Sequence, residues 1–230
     1  MTGIRLTPTS ENTFRISYTS SEFNLGKVLE ASKEFELDGE IEIACNMRFE
    51  AFQRLMESIP DDEEITLEWD SVENQNALLL VNYSAIDHFL VGDFEMSAAM
   101  LELILELDPE DHLEATKRLA YAYIALEEYE LYDEIINDIS DKYVEKELLN
   151  IWSEYRRTGK ILEGEMIRFK KSFHVYYEEF KLDEHPISNE YLNDIESERP
   201  SRESLARELW LQTEHLWILH PDFITELKKH

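Results

Sequence analysis

Glycine and proline are scarce in this chain of 230 residues, which contains only six of each. Proteins built from sheets with many tight turns depend on both residue types, because turns need the backbone conformations that these two residues favour. Leucine, glutamate and alanine are abundant instead, and these residues favour helices. The composition therefore predicts an all-α protein.

Cysteine is nearly absent, since Cys45 is the only one. A single cysteine excludes an internal disulfide and fits a reducing compartment. Its neighbours Ile43, Ala44 and Met47 are apolar, so we expect a buried small hydrophobic side chain and not a reactive thiol.

Long apolar runs are also missing. No stretch approaches the ~18 apolar residues of a membrane-spanning helix. The first residues, MTGIRLTPTSENTF, lack the apolar core of a secretory signal. We therefore expect a cytoplasmic protein without a membrane partner.

Basic residues are few relative to acidic ones. The chain has 22 lysines and arginines against 51 aspartates and glutamates, a formal charge of −29. Such a field repels nucleic acid and anionic membranes and attracts basic partners. A general nucleic-acid-binding face is excluded on this ground. The 43% of hydrophobic residues is ample for the core of one domain or one repeat array.

Motifs of catalysis and cofactor binding are absent from the sequence. It contains no GxGxxG, GxSxG or HExxH pattern. Gly159 and Gly164 have the spacing of a phosphate loop, but Glu165-Met166 follows where lysine and serine or threonine are required. His185, His215 and His220 could meet only through the fold, and their spacing names no ligands. We expect no catalytic residue, cofactor or metal.

A helical pattern recurs along the middle of the chain. The stretch from Tyr83 to Pro109 reads as two helices broken at Gly92-Asp93. The same break returns at Glu127-Glu128 and at Gly159-Lys160, at intervals of 35 and 32 residues. A repeat near ~34 residues with two helices in each unit is typical of tetratricopeptide arrays.

Residues 78–176 resemble the tetratricopeptide repeat family, with two well-matched units and one degenerate unit. The positions that carry the resemblance are Ala85, Phe94, Ser97 and the closing Pro109 in the first unit and Leu119, Ala120, Tyr123 and Tyr129 in the second. The third unit departs from it, with Trp152 at a small site and Arg168 at an aromatic one. The resemblance implies a right-handed solenoid of helical hairpins.

The organisation predicted around these repeats has four parts. Phe14, Ile16 and Tyr18 alternate near the start, which suggests an extended arm. Trp210 and Trp217 lie seven residues apart on a late helical pattern; we interpret them as core of a cap, with a partner-binding stripe as the alternative. The predicted parts are an N-terminal extension at 1–20, a divergent hairpin at 21–60, three repeats at 71–181 and capping helices at 188–230.

In the tetratricopeptide family the first helix of each repeat lines a concave groove that binds a peptide or a helix of a partner. The resemblance therefore implies a groove that is apolar at one end and basic at the other. Its partner-binding residues would be Asn82, Ile86, Phe89, Lys117, Tyr121, Ile124, Lys146, Asn150, Ser153, Arg156 and Arg157.

The leading functional hypothesis is a non-catalytic protein interaction module or scaffold. Two alternatives stay open: an enzyme with an acid and histidine pocket on a helical scaffold, and an acidic holder of basic client proteins. Six basic residues lie between Arg156 and Lys171, and they either pair with acids of neighbouring repeats or attract an anionic partner.

Overall fold

The computed structural model describes residues 3–19, 23–60 and 64–230, which are mostly helical with one small sheet. The predicted boundary at residues 20 and 21 lies outside the described residues. The chain forms two compact units, residues 1–122 and 123–230, and the division falls within the predicted repeat range 71–181.

Twelve α-helices lie in the described residues. The first five are α1 (Leu25–Leu37), α2 (Ile41–Met56), α3 (Val72–Leu90), α4 (Phe94–Leu107) and α5 (Ala115–Leu126). The others are α6 (Tyr129–Ile135), α7 (Val144–Thr158), α8 (Glu163–Ser172), α9 (His174–Phe180), α10 (Asn189–Ile195), α11 (Arg202–Leu219) and α12 (Pro221–Leu227). The division between the units falls within α5.

The three predicted helix breaks and the turn between α1 and α2 share one backbone conformation. Gly39, Gly92, Glu127 and Gly159 have φ of 83°, 81°, 64° and 72°, the left-handed region that ends helices. After the first three, the next residue donates its N–H to the carbonyl five residues back, as in Asp93 to His88 at 2.9 Å. The predicted helix breaks are therefore confirmed, and each is closed by a local capping motif.

The first unit contains a small sheet that corrects the strictly all-α prediction. Strands β1 (Ile4–Pro8) and β2 (Thr13–Tyr18) pair antiparallel, with Leu6 opposite Ile16. The two-residue strand β3 (Thr66–Leu67) then pairs in parallel with β2. The expected extended arm is thus a hairpin. Its alternation was visible in the sequence, but its third strand is too short to produce a pattern.

The sheet is attached to α3 by the side chain of Asn74, which is fully buried. Its amide nitrogen donates to the carbonyls of Phe14 and Glu68, both at 2.9 Å. Its amide oxygen accepts from the backbone N–H of Ile16 at 2.8 Å. One side chain therefore bonds to backbone groups of β2 and of the segment after β3 and attaches both to α3.

Two helical hairpins form the core of the first unit. Helix α1 packs on α2, α3 packs on α4, and α3 also contacts both α1 and α2. Small residues bring α3 and α4 together, where the Ser97 hydroxyl donates to the carbonyl of Ala85 at 2.9 Å. The rings of Phe89 and Phe94 meet edge to face near the turn, with centroids 5.5 Å apart. Such aromatic pairs stabilise beyond their buried area.

The second unit has an aromatic core. Trp152 of α7 meets Trp217 of α11 edge to face, with ring centroids 5.3 Å apart. Phe180 of α9 contacts Trp210 and Trp217 at 5.0 and 5.8 Å. Trp210 and Trp217 are both buried, so the interpretation of these residues as core is confirmed, and they form no exposed stripe.

Removal of the Asn74 amide tests the attachment of the sheet. Asn74→Ala should lower the free energy of unfolding by about 2 kcal/mol, because the buried N–H of Ile16 loses this acceptor and the hydrogen bonds to the carbonyls of Phe14 and Glu68 are lost as well. Urea denaturation measures this loss. Asn46→Ala, on the exposed surface of α2, is the matched control and should change stability little; equal effects of both substitutions would contradict the assigned role.

The positive φ of Glu127 gives a second prediction. Glycine adopts this conformation without the steric cost of a Cβ atom, which is about 1 kcal/mol. Glu127→Gly should therefore be more stable than Glu127→Ala by about that amount. Both substitutions remove the ion pair between Glu127 and Arg156, so their difference isolates the backbone. If urea denaturation ranks the alanine variant equal or higher, Glu127 is not strained.

Candidate functional site

A buried arginine joins three helices of the first unit. The Arg48 side chain, on α2, is only 3% exposed. It donates from Nε and Nη2 to the two carboxylate oxygens of Asp87 on α3, each at 2.8 Å. Its Nη1 lies 2.7 Å from Glu36 Oε1 on α1. We call Arg48, Asp87 and Glu36 the Arg48 cluster. Forked pairs of this kind fix geometry as well as charge.

The charge of Arg48 is secure despite its burial. Burial lowers the pKa of Arg48, but hydrogen bonds and charges from Asp87 and then Glu36 outweigh it, so that the pKa is raised. A buried charge costs free energy unless it is paired. Two carboxylates around one guanidinium meet that requirement and leave one negative charge over.

A cleft of ≈ 700 Å³ lies between α1 and α3. We call it the α1/α3 cleft, and Arg48 lines it together with the exposed residues Val72 and Tyr83. Its lining carries three basic and three acidic side chains with apolar ones between them. The charged members are Lys27, Lys33, Arg48, Glu30, Glu36 and Glu73. This balance differs from the first unit as a whole, which has 26 acidic and 8 basic residues over 1–122.

A second, smaller pocket of ≈ 200 Å³ lies between α2 and α3. We call it the Cys45 pocket. It is lined by Cys45, Asn46, Phe49, Ser84, Asp87, His88 and Val91. Arg48 lines the cleft and Asp87 lines this pocket, so the ion pair between them connects the two sites.

The Cys45 pocket lacks an activated nucleophile. Burial, and then the neighbouring Asp87, raise the pKa of the Cys45 thiol, which disfavours the reactive thiolate. The buried Ser84 hydroxyl has no hydrogen-bond partner among the described residues. His88 interacts instead with Asp93, through Nδ1 at 2.9 Å from Oδ2. No base is therefore in place to take a proton from Ser84.

A third cavity, of ≈ 460 Å³, adjoins a stacked pair of rings. Trp69 and His112 lie parallel with centroids 4.4 Å apart. His112 Nδ1 is 2.8 Å from Asp108 Oδ1, and Glu68 and Glu110 also line the cavity. The hydrogen bond to Asp108 raises the pKa of His112. The charge of this imidazole therefore depends on Asp108.

The structure divides the predicted groove residues between the two units. Four of the eleven are buried: Phe89, Tyr121, Ile124 and Ser153. Arg157 is exposed, and the other six are half-buried: Asn82, Ile86, Lys117, Lys146, Asn150 and Arg156. The four buried side chains are covered by other parts of the protein, so they can contact a partner only if the packing changes. A role for any of the eleven stays a prediction.

The basic members of that set interact with acids of their own unit. Lys117 lies 2.8 Å from Glu114, and Lys146 lies 2.8 Å from Asp141. In the second unit Arg156 pairs with Glu127 at 2.7 Å, and Arg157 donates to both carboxylate oxygens of Asp133 at 3.0 and 2.6 Å. For Arg156 and Arg157, this pairing supports the account in which the basic residues between Arg156 and Lys171 pair with neighbouring acids.

Two polar members of the set are also engaged. Asn82 Oδ1 accepts from Arg118 at 3.3 Å, and Asn150 Oδ1 accepts from the Tyr132 hydroxyl at 2.9 Å. Both contacts stay within one unit. Burial raises the pKa of Tyr132, which keeps this hydroxyl a donor at neutral pH.

The sequence reasoning missed the Arg48 cluster, although a signal for it exists. The buried positions of α2 are Ala44, Arg48, Ala51 and Leu55, spaced four, three and four residues apart. This spacing marks the buried face of a helix. An arginine on such a face predicts a buried ion pair, because an unpaired charge is too costly there.

Comparison of the chain with protein-family models, with curated proteins and with solved structures gave no match. Within the part of the chain that the structure describes, no group of histidine, cysteine or acidic side chains is arranged to hold a metal ion. In the same residues, no helix has the length and apolar character needed to span a bilayer.

The His112 contact predicts a pH effect. Because its pKa is raised in the folded state, the contact stabilises the fold fully below about pH 6.5. This contribution is lost as pH rises through the folded pKa. Asp108→Asn should move the His112 midpoint in an NMR titration back towards 6.5. Glu110→Gln is the control, because the charge of Glu110 raises the pKa of His112 less than Asp108 does. An unchanged midpoint in Asp108→Asn would refute the assignment.

Proposed function

We propose that this protein is a non-catalytic protein interaction module, built as a tetratricopeptide-like solenoid of helical hairpins. The packing of the first unit supports this proposal. The hairpins α1/α2 and α3/α4 are adjacent, since α3 contacts both α1 and α2. Nearest-neighbour contact between hairpins is how repeat arrays build their core.

The observation that carries the proposal is the α1/α3 cleft. In the tetratricopeptide family the first helices of the hairpins line the groove, and α1 and α3 are the first helices of their hairpins here. The cleft offers apolar, polar and charged groups together, including the half-exposed ring of Tyr83. A polypeptide segment presents the same mixture, and binding hot spots are rich in aromatic side chains.

On α3, the proposed contact residues differ from the predicted groove residues: Tyr83 directly follows Asn82 in the sequence, so its side chain lies on a neighbouring part of the helix surface. Leu79 and Tyr83 line the cleft, whereas Asn82 bonds to Arg118 and Phe89 is buried. We therefore propose Tyr83, and not the buried Tyr121, as the aromatic anchor in this unit.

The two alternatives have weaker support. An enzyme needs an activated nucleophile or a positioned acid and base, and the Cys45 pocket offers a protonated thiol and a serine without a base. An acidic holder of basic clients is favoured by the charge of the first unit, with 26 acidic and 8 basic residues. Such a holder would bind its clients through net charge, so added salt would weaken the binding whereas substitution of a single cleft residue would not.

The free thiol of Cys45 fits a reducing compartment, so the cytoplasm is the proposed location.

Site-specific photocrosslinking tests the cleft. A benzophenone amino acid at Val72 or Tyr83 should crosslink the same protein in irradiated cells, identified by mass spectrometry. The same amino acid at Glu106, an exposed position near the other end of α4, is the control and should not. Tyr83→Ala should then raise the dissociation constant for that protein tenfold or more, ~1.4 kcal/mol. Equal crosslinking from all three positions, or a Tyr83→Ala variant that binds like the parent, would overturn the cleft as the site.

A further inference from the structure

The two inter-helix turns of the first unit lie at the same end. Helices α1 and α3 run in the same direction, because Gly26 approaches Asn76 near their starts and Glu36 joins Asp87 through Arg48 near their ends. A Cβ atom added at Gly26 would lie 2.8 Å from Asn76 Nδ2, which shows how closely the helices approach. The turns after α1 and α3, residues 38–40 and 91–93, are therefore neighbours. We call this region the turn end.

Large aliphatic side chains are exposed at the turn end. Leu37 and Val91 are 78% and 79% exposed, and Ile41 and Leu90 are 54% and 49% exposed. Turn residues are ordinarily small or polar, and single exposed apolar residues need no explanation. Four of them together at the ends of adjacent helices form a patch, and such patches mark interaction sites.

The Cys45 pocket opens beside this patch, because Val91 belongs to both. Its ≈ 200 Å³ is below the ~300 to 1,000 Å³ of small-molecule sites. It equals roughly six or seven waters at ~30 Å³ each, which is room for one aliphatic side chain. The Ser84 hydroxyl in its wall is buried and lacks a hydrogen-bond partner among the described residues.

The surface around the patch is acidic. The acids on and beside the two turns are Glu34, Asp38, Glu40, Glu42, Asp93 and Glu95. Between residues 33 and 95 the basic side chains are Lys33, Arg48 and Arg54, and Arg48 is already paired inside the Arg48 cluster. Charge complementarity therefore selects a partner whose apolar residues are flanked by lysine or arginine.

We propose that the turn end binds an amphipathic helix of a partner protein, which inserts one aliphatic side chain into the Cys45 pocket and flanks it with basic residues. Helices bind apolar grooves in this way through side chains spaced three or four residues apart. This surface is separate from the α1/α3 cleft, so either site can fail without the other.

The single cysteine provides a reporter for the test. The first probe is a synthetic helical peptide with leucines three and four residues apart and lysines elsewhere. Two matched peptides replace either the lysines by glutamate or the leucines by serine. The lysine peptide should bind at physiological salt and slow the reaction of Cys45 with a small maleimide at least tenfold. Neither matched peptide should protect Cys45, and protection by either one would overturn the proposal.

Substitutions without a charge change locate the site. Leu37→Ser with Val91→Ser should raise the dissociation constant of the lysine peptide tenfold or more and abolish the protection of Cys45. Ile218→Ser with Leu219→Ser, two exposed residues at the end of α11, is the control and should bind like the parent. Tyr83→Ala in the cleft should also bind like the parent. Equal weakening in the control, or parental binding in the turn-end variant, would show attraction by net charge alone.

Discussion

The ion pair between Arg48 and Asp87, completed by Glu36, is the interaction on which the first unit depends most. It joins α2 to α3 and to α1 inside the fold. An apolar side chain of equal volume could match such a pair in stability, because both partners lose their hydration. The pair instead fixes the positions of its three helices, since a forked contact tolerates little rotation. Both candidate surfaces follow from this, because Arg48 lines the α1/α3 cleft and Asp87 lines the Cys45 pocket.

Much of the helical architecture could be predicted from local sequence. Gly92 and Gly159 end helices because they adopt a left-handed conformation without steric cost. Glu127 adopts the same conformation at the break between them. The sheet could not be predicted in the same way. Its strand β3 has two residues, and its partner Phe14 lies 53 positions away along the chain. The side chain of Asn74 that secures it leaves no periodic signal.

The candidate site was harder to predict than the fold. Helix α3 is apolar on a wide arc, with Leu78, Leu80, Val81 and Ala85 buried, so periodicity alone does not tell which neighbouring residue faces solvent. The family resemblance selected Phe89, which packs on Phe94, while Tyr83, which precedes it on the same helix, is half-exposed. The exposed aliphatic residues at the turn end depend on the direction in which α1 and α3 pack, which no local pattern specifies.

Hydrogen exchange in an Arg48→Met variant tests most directly whether the Arg48 cluster holds the two surfaces in place. Methionine fills similar space without charge, and the carboxylates of Asp87 and Glu36, which are 18% and 41% exposed, lose their contacts to Arg48 but keep access to water. The account predicts faster amide exchange in α1 and in the last turns of α3, with the second unit unchanged. Arg54→Met, at an exposed position of the same helix, should exchange like the parent. Parental protection of α1 and α3 in the Arg48→Met variant would contradict the account.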